Sequence, residues 1–299
     1  MAQKNTQKNN SPSIKTNLVS KINPVLSFKE KFFAYAELMR LGNCVMAAIA
    51  VLIGFYLIES ADYKSAAVAA ISTFLICGAG QAINDYFDSK IDEKTSRNRP
   101  IPSGRITRER ALTFSMVSFF AGLVLAFLIN QATMLVAIIF SILLIAYPMF
   151  MNKVKYLGNI VVALGTAITF AYGAAAAGNI TPLVVTLSMS AFFSNMAREV
   201  TKDIEDVRKD KGTKVTLPMV TKNSKHFVLA YYVLAISVSI IAYTSFNLSG
   251  YYLAFTLLGS AAFLYALLLL YNGIPKKSQK VSKIGMLVSL VAFVFAKIK

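Results

Sequence analysis

Nine stretches of this chain are apolar over a length that crosses a bilayer: near 38–58, 65–85, 111–130, 132–150, 158–177, 182–200, 227–245, 250–271 and 281–297. Hydrocarbon offers the backbone no hydrogen-bond partner, so spanning segments must be helices or strands of a closed barrel. Runs of about 20 apolar residues suit helices. The sequence therefore reads as an all-α integral membrane protein with nine transmembrane helices. Little more than Asn130-Gln131 separates the third stretch from the fourth, which makes that pair a tight helical hairpin. A chain that is 56% hydrophobic and only 15% charged is what this architecture requires. Residues 1–26 read as a polar, disordered cytoplasmic tail with no cleavable leader, and 27–299 as a single transmembrane domain. Ser27 to Met39, carrying Phe28, Phe32, Phe33 and Tyr35, reads as an interfacial amphipathic helix ahead of the first span.

The formal charge of +17 invites a nucleic-acid reading, and its distribution argues against one. With the N-terminus inside, the inner segments hold 28 of the 31 Lys and Arg residues, leaving Lys64, Lys297 and Lys299 outside. That is the positive-inside pattern; it predicts N-in, C-out, and attraction to inner-leaflet lipid accounts for most of the charge. The expected location is a cell membrane, crossed many times, with membrane lipid and no nucleic acid as partner. Cys44 and Cys77 fall inside spans and imply no disulfide. The triplets at Asn179 and Asn247 lie too close to the membrane to read as glycosylation sites, and His226 opens a helix away from any cluster.

Acids are scarce, and nine of the 14 fall at two places: Asp85, Asp88, Asp92 and Glu93 after the second span, and Glu199, Asp203, Glu205, Asp206 and Asp210 after the sixth. Carboxylates at the mouth of a membrane bundle are costly and mark functional sites by default. Asn84, Asp88 and Asp92 are spaced by four, so a helix stacks them on one face; Asn195, Glu199 and Asp203 echo the spacing. Each cluster runs into a basic loop with a proline, Arg97 to Arg105 and Lys211 to Pro218. The four spans between the clusters suggest two pseudo-repeated four-helix units plus one terminal helix.

Hard oxygen donors on a helix face suit Mg²⁺, which takes one or two carboxylates and completes its shell with water and substrate phosphate. Arg97, Arg99 and Arg105 are candidates for bidentate phosphate contacts, with Lys153 and Lys202 as point charges. Metal and cations together would neutralise a departing diphosphate, while the dry bundle would house an isoprenoid tail and shield an allylic cation from water. Tyr147, just before Pro148 at the end of the fourth span, points at the same mouth.

These residues resemble the UbiA superfamily of intramembrane prenyltransferases. The stretch from Asn84 through Asp85 and Asp88 to Asp92 matches the family's first motif, N-D-x-x-D-x-x-x-D, at every fixed position, and Asn98 to Gly104 is similar to its conserved loop. Lys202 to Glu205 and Asp206 to Asp210 partly match the second motif, with Arg208 and Lys209 where the family usually has Glu and Gly. Met39 to Gly54, Gly78 to Asn84 and Arg198 to Asp206 are similar to the branch that forms the second ether bond of archaeal lipids, although Leu41-Gly42 stands where that branch usually has Arg-Pro. The resemblance implies nine helices and Mg²⁺-dependent transfer of a geranylgeranyl group from geranylgeranyl diphosphate to the glycerol hydroxyl of geranylgeranylglyceryl phosphate. It implies Asn84, Asp88, Asp92, Asp203, Asp206 and Asp210 as metal ligands, with Asp88, Asp92, Asp206 and Asp210 at the heart of catalysis. Arg97, Arg99, Lys153 and Lys202 would hold the diphosphate, and Arg40, Asn43 and Tyr147 the acceptor. The isoprenyl diphosphate and a lipid-phosphate acceptor are thus the expected small-molecule partners. Prenylation of an aromatic acceptor, as in quinone or haem O biosynthesis, stays open, because no residue presents itself as the base an alcohol needs. A cation transporter is a rival of another class; the one-sided charge argues against it. A CDP-alcohol phosphotransferase would need a D-G-x-x-A-R core that is absent.

Overall fold

The computed structural model describes residues 27–150, 157–210 and 215–298, so the tail expected at 1–26 lies outside the described residues. The described residues form eleven helices and no strand: α1 Phe28–Leu38, α2 Leu41–Tyr56, α3 Tyr63–Thr95, α4 Arg108–Phe127, α5 Gln131–Phe150, α6 Leu157–Ala176, α7 Pro182–Asp210, α8 Leu217–Val220, α9 Ser224–Ser245, α10 Gly250–Tyr271 and α11 Pro275–Phe295. Their starts follow local chemistry. Asp62 caps α3 by accepting from Ser65 N at 3.1 Å, and Ser249 caps α10 by accepting from Tyr252 N at 3.1 Å. Ser27 and Glu30 close a capping box on α1, which leaves Phe28, Phe32 and Phe33 exposed while Ala34 and Leu38 are buried. Arg40 takes a left-handed conformation, φ 50°, and there the chain bends by 59° from α1 into α2.

Seven of these helices are each long and apolar enough to cross a membrane, and the count is eight if the bent α1–α2 pair is one span. The remaining expected span, 182–200, lies in α7, which is 29 residues long but is not among those seven. Ser188, Ser190, Ser194, Asn195, Arg198 and Glu199 interrupt its apolar character. The second span is also longer than expected: α3 continues to Thr95 and carries the whole first acidic cluster as helix.

The packing partners repeat along the chain. α3 packs on α2 and α4, as α7 packs on α6 and α9. The correspondence shifts at the next position: α5 lies beside α3, whereas α11 rather than α10 lies beside α7, with α10 packed behind α11. The two groups meet where α2 crosses α6. A Cβ at Gly54 would collide with the Phe170 carbonyl, and one at Gly173 with the Val51 carbonyl, so the two backbones touch directly. Buried hydroxyls tie other helices together: Ser72 Oγ donates to Gly122 O at 2.8 Å, and Tyr232 and Ser282 share a hydrogen bond of 2.5 Å.

Replacing Gly54 or Gly173 with valine should therefore part α2 from α6 and cost about 1–3 kcal/mol or more, as overpacking does. Thermal unfolding in detergent should show a lowered Tm for each variant and less than the sum for the double variant, since one separation relieves both clashes. Unchanged melting in both single variants would mean that the helices are not in backbone contact.

Candidate active site

Six helices, α2, α3, α5, α6, α7 and α11, enclose a cavity of about 920 Å³, at the upper end for ligand pockets; none of its lining residues lies on α4, α9 or α10. Its polar end gathers the start of α2, the ends of α3, α5 and α7, the start of α6 and the first half of α11. Farther along the same helices the lining turns apolar, with Ala50, Ile76, Val136, Phe140, Ile168, Phe170, Leu290 and Phe293.

Of the residues singled out from sequence, Arg40, Asn43, Asn84, Asp88, Asp92, Arg99, Tyr147, Lys202, Asp203 and Asp206 all line this cavity. The four-residue spacing on α3 does bring its acids to one wall: Asn84 Nδ2 donates to Asp88 Oδ2 at 3.2 Å. Arg97 is exposed, donates to Glu93 O at 3.1 Å and is not in the lining. Arg105 is likewise outside it, held by Glu37 at 2.6 Å and by Asn98 O at 2.6 Å. Lys153 lies outside the described residues; Asp210 ends α7, with its side chain outside them.

Sequence reasoning missed four features. Asp85, 5% exposed, is the anchor of the α3 wall: it accepts from Arg40 Nη2 at 2.9 Å and lies 3.6 Å from Arg99 Nη1. Arg99 Nη1 also donates to Asp92 Oδ2 at 2.6 Å, so two guanidinium groups are balanced by two carboxylates. A non-glycine residue in the left-handed region costs roughly 1–2 kcal/mol, and the Asp85 contact offsets that cost at Arg40. Asn159, at the start of α6, donates to Asp203 Oδ2 at 2.7 Å and aims that carboxylate across the mouth. Arg198 bonds both Asn195 Oδ1, at 3.0 Å, and the buried Glu199. Lys283 on α11 faces the cavity from inside an apolar stretch. A lysine within a span was a legible signal; the roles of Asp85 and Asn159 depend on contacts with other helices. Asn195, part of the spaced echo, is buried and donates to Thr166 Oγ1 at 2.5 Å, so it joins α7 to α6.

Among the described residues, no three His, Cys, Asp or Glu side chains converge into a ready metal cage. The donor set, carboxylate and amide oxygens on two facing helices, suits a hard cation that takes only one or two protein ligands and completes its shell with substrate and water.

An acid-lined, cation-rimmed mouth over an apolar chamber inside a helical membrane bundle defines an intramembrane enzyme for a substrate with a charged head and an apolar tail. The model of the UbiA prenyltransferase family matches residues 45–291, and the chain belongs to that family. It is accordingly a multi-pass membrane protein and a prenyltransferase. It is 36% identical over 281 residues to a digeranylgeranylglyceryl phosphate synthase of Methanococcoides burtonii, an alignment covering 87% of this chain and 98% of that one. A solved structure concerned with digeranylgeranylglyceryl phosphate synthase in membranes is 33% identical, with a TM-score of 0.75 over 89% of this chain and 98% of that one. A UbiA homologue of Archaeoglobus fulgidus bound to GPP and Mg²⁺ shares the fold at 16% identity, with a TM-score of 0.67 over 87% of this chain and 99% of that one.

Substituting Asp85 with Asn should release Arg40, while Arg99 keeps its bond to Asp92, at a stability cost of about 2 kcal/mol for the lost charge-assisted contact. The affinity for a diphosphate ligand should fall more than the Tm. Calorimetry of binding beside thermal unfolding checks this, and unaltered diphosphate affinity would remove Asp85 from the site's architecture.

Proposed function

We propose that this chain transfers a geranylgeranyl group from geranylgeranyl diphosphate to the free glycerol hydroxyl of geranylgeranylglyceryl phosphate. The observation that carries the reading is the cavity, in which the α3 and α7 acids and the mouth cations share one chamber with a long apolar wall. The relatives named digeranylgeranylglyceryl phosphate synthase support this acceptor over an aromatic one. The bundle crosses a cell membrane nine times, with α7 as a span, N-in and C-out, and residues 27–299 act as one catalytic domain. The Lys and Arg distribution supports placing the polar mouth at the cytoplasmic face.

Each side chain then has a task. Asn84 and Asp88 on the α3 wall and Asp206 on the α7 wall, together with Asp210 from the second acidic motif, hold divalent metal, taken to be Mg²⁺, with Asp203 steered by Asn159. Bound there, the metal supplies Lewis-acid stabilisation of the diphosphate. Asp92 orients Arg99 toward the same oxygens. Asn43 and Tyr147 contact the acceptor. Phe140, Phe170 and Phe293 line the prenyl channel and exclude water from the allylic carbon. The acceptor oxygen forms the new C–O bond as the allylic C–O bond breaks. The bonding pair leaves with diphosphate, and the hydroxyl proton is released with it.

Purified chain given labelled geranylgeranyl diphosphate, Mg²⁺ and geranylgeranylglyceryl phosphate should yield labelled diether phosphate. EDTA should abolish the product, and Asp88→Asn or Asp206→Asn should lower kcat about 10²–10³-fold, the loss typical of removing one electrostatic stabiliser. Label transferred to 4-hydroxybenzoate and not to the glyceryl phosphate would move the enzyme to aromatic acceptors.

A further inference from the structure

The reaction places two anions in one chamber, the donor's diphosphate and the acceptor's own phosphate. They repel, so the protein must hold them at separate places. The α3 wall has no spare positive charge, since Arg40 and Arg99 are matched by Asp85 and Asp92. The α7–α11 wall does.

On α7, Arg198 and Lys202 are one turn apart and form a basic stripe beside the acidic stripe of Glu199, Asp203 and Asp206. The basic stripe faces α11. There Gln279 Nε2 donates to Glu205 Oε2 at 3.2 Å, and Lys283 lies one turn further along the same face. Arg198, Lys202 and Lys283 all line the cavity. Among the described residues, Glu199 is the only carboxylate in an ion pair with any of them: it meets Arg198 closely and Lys202 at 3.8 Å, too long for a hydrogen bond. Among the described residues no ion pair or hydrogen bond engages Lys283. Lys276, Lys277 and Lys280 sit at the helix start, where leaflet lipid explains them. Lys283 lies eight residues after Pro275, within the apolar span, and turns to the cavity. A charge so placed is expensive unless it serves a ligand.

We propose that Arg198, Lys202 and Lys283 form a second anion subsite that takes the phosphomonoester of the acceptor lipid. The inference rests on the reaction proposed above and deepens it. It moves Lys202 from the donor's ligands to the acceptor's, and it replaces Arg40, which is committed to Asp85, as the acceptor's cation. The free hydroxyl of an O-alkylglyceryl phosphate lies within two carbons of the phosphate-bearing carbon. Fixing the phosphate between α7 and α11 therefore fixes the nucleophile, and the acidic stripe beside it keeps the metal-bound diphosphate on the neighbouring face. Selection for a phosphorylated acceptor follows from the same three cations.

The test compares geranylgeranylglyceryl phosphate with its dephosphorylated alcohol, using labelled geranylgeranyl diphosphate and full-length chain in lipid nanodiscs. The wild-type chain should prefer the phosphorylated acceptor. Lys283→Gln should raise the KM for that acceptor about tenfold, the worth of one charge-assisted contact, while the KM for geranylgeranyl diphosphate stays within about twofold. The preference for phosphate should collapse with it, and Lys283→Arg should restore much of it. Lys202→Gln should repeat the pattern independently. A wild-type chain that alkylates the phosphorylated acceptor while both Gln variants keep its preference overturns the subsite alone. A rise confined to the donor's KM does so too. A wild-type chain that alkylates neither compound overturns the reaction and the subsite together.

Discussion

A charge below the headgroups must find a partner or a wet cavity, and this requirement organises the whole bundle. Asp85, Asp92 and Glu199 are all nearly buried, and each has a guanidinium against it. The Arg40–Asp85 pair ties the start of α2 to α3, Arg99 folds the following loop back on α3, and Arg198 neutralises Glu199 within α7. Hydroxyl groups meet the same requirement farther from the mouth, where Ser190 and Ser239 share a hydrogen bond of 2.7 Å and Ser72 Oγ donates to Gly122 O at 2.8 Å. The helices are thus fastened by polar contacts and close backbone approach, because lipid tails compete equally for apolar side chains.

Much of this was legible in the chain. The apolar stretches coincide with α2–α7 and α9–α11 to within a few residues, except where α3 and α7 carry on past the apolar run as amphipathic acidic segments. Spacing also put Asn84, Asp88 and Asp92 on one wall, since an i, i+4 pattern acts within a single helix. What the sequence withheld was tertiary. Nothing in the residue pattern says that α4, α9 and α10 stand outside the cavity, or that α11 occupies beside α7 the place that α5 has beside α3. Nor does it say that Asp85, one residue from the stacked face, turns away to grip Arg40 and Arg99. Arg97 and Arg105 show the converse: both sit in the loop expected to bind phosphate, yet both are bonded within the surface of the mouth, to Glu93 and to Glu37 and Asn98.

The walls of the cavity differ in what they bring. α3 brings acid, α7 brings acid beside Arg198 and Lys202, Arg40 and Arg99 stand at the start of α2 and in the loop after α3, α11 adds Lys283, and α5 and α6 supply apolar wall together with Tyr147 and Asn159. Because the acids lie on two helices related by the repeated packing, neither half of the bundle holds a complete set of donors.

The weak hydropathy of α7 bears on how the protein is made. A segment interrupted by Ser188, Ser190, Asn195, Arg198 and Glu199 gains little by leaving the insertion machinery for lipid on its own. Its polar groups are satisfied by α6 through Thr166, Val162 and Asn159, and by α9 through Ser239. With α7 as the proposed ninth span, biogenesis would retain it beside its neighbours until α9 has emerged from the ribosome, and the helix that carries half of the candidate site's acids would be the one whose integration depends on chain still to be synthesised.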